Sequence, residues 1–177
     1  MKKLIQKKTP IDVDLSPNRN IIYSGVGLKL TDKIYIFVNF NRDTKEFDGY
    51  AIIRSFEIKM YREWSEEELN DIKNNNLSDY LGKLPLLKMN NMFESLSELK
   101  KENILISVFI APDDDSFYVG KIFEISKKTI ELKLLSEEAE WLYHKTINID
   151  DITYIGFDSS YEKSLNISDG YAIPCNI

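Results

Sequence analysis

Acidic side chains are the first candidates for chemistry in this chain. Hydrolysis by carboxylates needs two acids that face one cleft at a set distance. The candidates lie in two predicted loops: Asp113, Asp114 and Asp115 in one, and Glu137, Glu138 and Glu140 in the other. No glycine or histidine lies beside these acids. The pattern therefore favours solvated turns over a hydrolytic pair.

Metal binding and nucleophilic catalysis find little support in the remaining residues. Calcium loops alternate ligands with spacers, whereas three consecutive Asp side chains, Asp113–Asp115, point in different directions. His144 is the only histidine and Cys175 the only cysteine, which excludes a Cys/His metal site and an intramolecular disulfide. His144 lies within a strand pattern, and Cys175 has no base near it in the sequence. We therefore expect no catalytic site, no metal and no cofactor.

The composition is that of a folded protein with an acidic balance. Of the 177 residues, 43% are hydrophobic and 12% aromatic, which is enough to build a core. The net charge of −6 disfavours binding to a phosphate backbone, which requires clustered Lys and Arg. The start of the chain lacks the apolar region of a signal peptide, and no apolar run reaches membrane-spanning length. We expect a cytoplasmic protein that does not enter a membrane.

Two stretches of the chain share one layout. IYSGVGLKLTDKIYIFVNF, 22–40, and FYVGKIFEISKKTIELKLL, 117–135, align when Gly25 is placed on Gly120, a shift of 95 positions. With one residue removed from the next loop, the match continues to Asp151-Ile152. Agreement at a fixed offset indicates an internal repeat. The alternative is two unrelated meanders with similar hairpins.

Each copy has the pattern of five short strands. In the second copy, Thr129 to Leu135 alternates apolar and polar residues, as a half-buried strand does. Gly120 indicates a bend or bulge within the long strand Tyr118 to Ile125, which precedes Thr129 to Leu135. Short, strongly bent strands do best by closing on themselves. The sequence therefore predicts a mainly β (α+β) protein of two small five-stranded barrels related by internal duplication.

A packed connector is predicted between the barrels. Ser65-Glu66-Glu67-Glu68 has the pattern of a capping box at a helix start, and an apolar stretch follows it. Met89, Met92, Phe93, Leu96 and Leu99 form a helical stripe before the second barrel. We expect a first barrel at 1–64, a helical connector at 65–102, and a second barrel with a tail at 103–177.

A helix followed by a five-stranded, strongly bent barrel resembles the Sm-like (SH3-like barrel) fold. The pattern that carries the resemblance is Gly120-x-Ile122-x-x-Ile125, a turn, and Ile130-x-Leu132-x-Leu134. The first copy offers Gly25-x-Gly27-x-x-Leu30 and then 34–40. The resemblance implies a tandem of Sm-like repeats.

The family's RNA-binding pattern is missing from this chain. RNA-binding Sm proteins carry Arg-Gly in the turn between the fourth and fifth strands. The second copy has Ile149-Asp150-Asp151-Ile152 there, and the first copy has 54–58, RSFEI. Acidic residues thus stand where the family contacts phosphate. The resemblance supports the fold and argues against RNA binding.

One strand of the first copy is apolar on both faces, which is typical of a strand buried on both. It runs from Ile34 to Phe40. One face must fill the barrel, and the other must be covered by the second barrel, the connector or another subunit. We expect an interface at Ile34, Ile36, Val38 and Phe40, and a homo-oligomer is one way to form it.

These features predict a non-catalytic binding protein. The acidic residues of the second copy, if they gather at one end, form a surface suited to a basic protein partner, because complementary charge speeds encounter and sets specificity. This set comprises Asp113, Asp114, Asp115, Glu137, Glu138, Glu140, Asp150 and Asp151. An immunity or antitoxin-type inhibitor of a basic nuclease would fit. The alternatives are an Sm-like RNA-binding protein and an enzyme whose site the sequence does not reveal.

Overall fold

The computed structural model describes residues 1–15, 22–72, 76–110 and 116–165. The strands in this part of the chain are β1 (Pro10–Asp14), β2 (Ile22–Leu30), β3 (Ile34–Asn41), β4 (Glu46–Arg54), β5 (Met60–Glu63), β6 (Leu105–Ile110), β7 (Phe117–Ile125), β8 (Thr129–Leu135), β9 (Trp141–Asn148) and β10 (Ile152–Phe157). Its helices are α1 (Lys2–Lys7), α2 (Glu66–Asn70), α3 (Met92–Lys101) and α4 (Ser160–Ser164). Short 3-10 turns lie at Ser55–Glu57, Leu77–Asp79, Leu86–Lys88 and Ile149–Asp151.

All the strands belong to one open, ten-stranded antiparallel sheet in the order β5-β1-β2-β3-β4-β10-β6-β7-β8-β9. The prediction of two closed five-stranded barrels is therefore wrong. Closure removes the edges of a sheet by pairing them with each other. Here the edge of β4 pairs instead with β10 from the other half of the chain, with Tyr50 opposite Phe157 and Ile53 opposite Tyr154. That pairing satisfies β4 without closing either half.

The two halves of the sheet repeat one ladder. In each half the strands lie in the order fifth, first, second, third and fourth. A shift of 95 positions relates the Ile11–Gly25 pair of β1·β2 to the Ile106–Gly120 pair of β6·β7. The same shift relates the bulge between β2 and β3 to that between β7 and β8. Beyond the third strand the shift is 94, and it relates the 3-10 turn after β4 to the one after β9.

Gly25 and Gly120 hold equivalent positions at which the next strand leaves no room for a side chain. An added Cβ would lie 2.0 Å from the Val38 carbonyl oxygen at position 25 and 2.2 Å from the Lys133 carbonyl oxygen at position 120. Such distances are far inside van der Waals contact. The close approach of two backbones therefore explains why both copies carry glycine here.

The sheet buries apolar side chains on both faces of its first half. A smaller core joins Ile5 of α1 to Ile11, Tyr35, Phe37 and Ile53. The main core lies on the opposite face of β3 and continues into the second half. It contains the four residues predicted to form an interface, Ile34, Ile36, Val38 and Phe40, together with Tyr80 and Met89 of the connector and Leu96 of α3. The chain itself therefore covers this second apolar face.

The predicted connector, 65–102, contains α2, α3 and two 3-10 turns in its described part. We keep the name connector for the segment between β5 and α3, 64–91, which is largely irregular in its described part. Its α-helix, α2, has five residues. The capping box is confirmed, because the Ser65 side chain accepts a hydrogen bond from the Glu68 backbone N–H and the Glu68 carboxylate accepts one from Ser65. Short turns suit a segment whose task is to place Tyr80 and Met89 on the sheet.

Polar contacts fix the junction of the two halves. Arg54 at the end of β4 donates from Nη2 to the Ile149 carbonyl, at 2.6 Å, and from Nε to the Ile152 carbonyl, at 2.9 Å. At the other end of β4, the Asp48 carboxylate accepts hydrogen bonds from the backbone N–H and hydroxyl of Ser160. At both ends of the β4·β10 pair, a side chain of β4 thus bonds to the second half of the chain.

Candidate functional site

The acidic residues predicted to form one surface do not gather in the part that the structure describes. Asp113, Asp114 and Asp115 lie outside the described residues. Glu137, Glu138 and Glu140 lie in the turn before β9, and Asp150 and Asp151 lie in the 3-10 turn after it. Eight residues of extended chain separate the two groups, which is about 25 Å for a straight strand. The described acids therefore form two small groups.

His144 lies on β9, where its side chain contacts the neighbouring strands β7 and β8. Its Nδ1 is 3.0 Å from the Glu131 carboxylate, and its ring meets the Phe123 ring edge to face, with 4.5 Å between centroids. A general base must reach the group whose proton it takes. His144 instead takes part in cross-strand packing between β7, β8 and β9.

The densest polar cluster was not foreseen from the sequence. It surrounds Asp12 in the middle of β1, whose residue is 6% exposed. Asp12 Oδ1 accepts hydrogen bonds from Ser24 Oγ at 2.8 Å, Arg42 Nη2 at 2.6 Å and Trp64 Nε1 at 2.8 Å. Arg62 donates to the other carboxylate oxygen. We call these five residues the Asp12 cluster.

The Asp12 cluster holds a buried carboxylate in a fixed place beside two half-exposed arginines. Burial alone raises the pKa of the Asp12 carboxyl, but the hydrogen bonds from Ser24, Trp64 and Arg42 outweigh it and lower the pKa below its ordinary value. Arg62 also donates to both oxygens of Glu68, at 2.7 Å each, and this contact lowers the pKa of Glu68 to about 2. Because every acid is paired with an arginine, the cluster suits structural support better than proton transfer.

The sequence around Asp12 indicates that this carboxylate has a partner, but it does not identify the partner. Asp12 stands between Ile11 and Val13, which are both buried in β1. A carboxylate with buried neighbours on either side needs a partner. Its partners Arg42 and Trp64 are 30 and 52 residues away in the chain, and no local pattern identifies them.

The free edge of the sheet at β9 offers the most open backbone surface. Among the described residues, no strand pairs with the outer side of β9, and we call that side the β9 edge. Tyr143 is 67% exposed and Leu142 44% exposed. The opposite edge of the sheet, β5, is half as long, with four residues. An unpaired strand presents N–H and C=O groups that a further strand can use.

Lysines and aromatic rings meet around the β9 edge. Lys145 lies over the Tyr118 ring with 4.6 Å from its Nζ to the centroid, and Lys133 lies over the Trp141 ring at 4.9 Å. The Lys145 ammonium group lies over β7, two strands in from the edge, and Lys133 lies on the other face of the sheet, because Lys145 is opposite Leu132. Cation–π contacts at exposed sites are worth about 0.5–1 kcal/mol each, so they order the lysines without neutralising them.

Other features of the described residues add no chemical site. No group of three His, Cys, Asp or Glu side chains within them could hold a metal ion. A groove of about 430 Å³ lies between the connector and α3, with Leu84, Met89 and Leu99 in its lining and Glu98 and Glu102 beside them. None of the helices described is long and apolar enough to cross a membrane.

Comparison of the chain with models of protein families, with curated proteins and with solved structures finds no match.

Proposed function

We propose that this protein is a non-catalytic binding protein that holds an extended segment of a partner protein along the β9 edge. The observation that carries the proposal is the free, eight-residue strand β9. Main-chain hydrogen bonds to a sheet edge supply affinity, and alternate side chains supply specificity. The exposed ring of Tyr143 is of the kind that forms the centre of protein interfaces, and Leu142 beside it adds exposed apolar area.

The buried apolar faces support this choice of site. In the first half, both faces of the sheet are covered by α1, the connector and α3. The opposite end of the sheet, at β5, offers only four residues to a partner strand. The β9 edge combines length, open backbone and exposed aromatic area. Among the described surfaces it therefore has the strongest physical case for a protein partner.

The proposal is tested by hydrogen exchange on a complex isolated from the native cell extract. The expected result is slower exchange of the β9 amides in the complex than in the free protein. The Tyr143→Asp variant should lose the partner, because a carboxylate replaces the ring at the centre of the contact. Leu87→Asp is the matched control, because Leu87 is 93% exposed but lies on the connector.

Two outcomes contradict the proposal. One is a partner that binds Tyr143→Asp as well as it binds the unmodified protein. The other is a complex in which β9 amides exchange as fast as in the free chain while amides elsewhere slow down.

Nucleic acid is the second candidate partner, and the lysine–aromatic contacts of Lys133 and Lys145 favour it. Stacking rings beside lysines are typical of single-strand binding surfaces. This alternative predicts a high 260/280 nm absorbance ratio that falls after RNase treatment, and affinity that drops steeply with salt. A protein-like ratio at low salt contradicts it.

A further inference from the structure

The junction between the halves shows how a fourth strand of this repeat pairs with a fifth strand. Ala51 of β4 lies directly opposite Gly156 of β10, and Ile52 lies opposite Ile155. Both pairs consist of small or apolar residues, and Ala51, Ile52 and Ile155 are fully buried. The junction can therefore close without placing a charge against a charge.

The repeat identifies the two outer edges as the corresponding strands. A shift of 94 positions relates β4 to β9, because Phe37 opposite Ala51 in β3·β4 corresponds to Leu132 opposite Lys145 in β8·β9. It also relates β5 to β10, because Arg62 lies opposite Asp12 just as Gly156 lies opposite Ser107. The β9 edge and β5 are thus the fourth and fifth strands that have no such partner within the described chain.

The same register between two copies of the chain would bring two cations together. Lys145 takes the place of Ala51, and Arg62 takes the place of Gly156, so they would lie directly opposite each other. Like charges in that position destabilise a strand pair. Arg62 is paired with Asp12 and Glu68 of its own chain, and Glu63, the carboxylate on β5 itself, would fall opposite His144 in this register and not opposite Lys145. Lysine on an edge strand is a common device against sheet-to-sheet association.

We propose that Lys145 selects the strand that binds the β9 edge: an extended, acidic segment with a carboxylate opposite Lys145 is accepted, and β5 of a second copy is rejected. The inference rests on the proposed function and names the chemistry of its partner. Lys145 is a specificity-determining residue in this scheme. The Tyr118 ring that its ammonium group contacts belongs to β7, so a carboxylate on an added strand would compete with that ring for the ammonium group.

Synthetic peptides test the selection without changing the folded chain. The first peptide copies residues 58–65, IKMYREWS, and so carries β5. The second is identical except for Arg62→Glu. Their dissociation constants are measured from amide chemical-shift changes in the isotope-labelled full chain. We expect the acidic peptide to bind about fivefold more tightly, because an attractive cross-strand pair replaces a repulsive one.

Charge reversal on the protein completes the test. The Lys145→Glu chain should reverse the preference and bind the unmodified peptide about fivefold more tightly. Lys133→Glu is the matched control, because Lys133 lies on β8 beside the free strand. It should leave the preference for the acidic peptide in place.

The outcomes separate the inference from the function beneath it. Equal binding of both peptides, with shifts on β9 amides, overturns the selection by Lys145 and leaves strand binding intact. An absence of β9 shifts with either peptide at millimolar concentration contradicts strand binding itself. Sedimentation supplies an independent check, in which the unmodified chain should remain monomeric. If the unmodified chain forms oligomers and the Lys145→Glu substitution does not strengthen them, the inference is overturned.

Discussion

The two halves of the sheet have the same ladder and opposite surfaces. On one face of the first half, Val26, Ile34, Ile36, Val38 and Ile52 are buried. The equivalent residues of the second half are Lys121, Thr129, Glu131, Lys133 and Thr146, and all are at least partly exposed. The same strand order and register therefore form whether the side chains on this face are apolar or polar. What differs is the connector, which covers the apolar face of the first half, so a repeated backbone can serve two environments.

A second comparison concerns the polar group beside each capping box. Asp12 and its arginines stand next to the Ser65–Glu68 box in the first half. In the second half the position of Asp12 is taken by Ser107, which donates a hydrogen bond to Glu162 of the Ser159–Glu162 box. One site uses several charges, and the other uses a hydroxyl and one acid. The charged version lies at the edge strand β5, where solvent can reach the arginines.

The largest expected effect on stability is at Ile36, and its equivalent in the second half, Glu131, should show almost none. Ile36→Ala should destabilise the chain by about 3–4 kcal/mol, because it removes a fully buried side chain and leaves a cavity. Glu131→Ala, 95 positions later, should change stability by at most about 0.5 kcal/mol, because the side chain is partly exposed. Denaturant unfolding measures both. Equal losses would show that the two faces are not as different as their exposure indicates.

The next largest effect concerns the charged site of the first half, the Asp12 cluster. Asp12→Asn should cost about 2 kcal/mol at pH 7, because it removes a charge that two arginines share while they stay half exposed. Since the pKa of Asp12 is lowered in the folded state, this stability is present above the unfolded pKa and is lost as pH falls through the folded value. Urea unfolding from pH 7 to pH 2 should show the two proteins converging below about pH 4. A difference that is constant with pH would contradict the role of the charge.

The junction between the halves can be weakened on its own. Arg54→Gln should destabilise the chain by about 1.5 kcal/mol, because it removes charged donors from the carbonyls of Ile149 and Ile152. The equivalent of Arg54 in the second half is Asn148, at the end of the free strand β9. Asn148→Ala should cost less, since its side chain only caps the adjacent 3-10 turn. Thermal unfolding measures both, and a larger loss for Asn148→Ala would reverse the order.

The smallest effect compares the two capping boxes. Ser159→Ala should cost about 1 kcal/mol, because α4 carries the buried Glu162. Ser65→Ala should cost about 0.5 kcal/mol, because α2 has no buried residue and its loss exposes little. Chemical unfolding of the two single variants decides the order. If Ser65→Ala were the more costly, the Asp12 cluster would depend on the cap.

The sequence predicted what depends on short-range pattern. The alternation in Thr129–Leu135 and the cap at Ser65 have local causes, and the structure has both. The bulge in β7 lies between Ile122 and Glu124 and not at Gly120, where the glycine instead allows a close approach of two backbones. The pairing of β4 with β10 joins residues about a hundred positions apart, and no local pattern distinguishes it from closure of each half. The partners of Asp12 could not be predicted for the same reason, because they lie far from it in the chain. The acidic turns could be identified as loops, but their separation by β9 required the topology.

The distance along the chain between β4 and β10 has a consequence while the protein is being made. Synthesis proceeds at about 5–20 residues per second, so on the order of 5–20 s pass between the appearance of Ile53 and that of its partner Tyr154. During that interval the apolar strand β4 is the outermost strand of the nascent sheet. Unlike β9, it carries no lysine to keep another chain away. A ribosome that stalls within the second half therefore carries a chain in which the edge of β4 is unpaired and open to association. In the finished molecule β10 covers that edge.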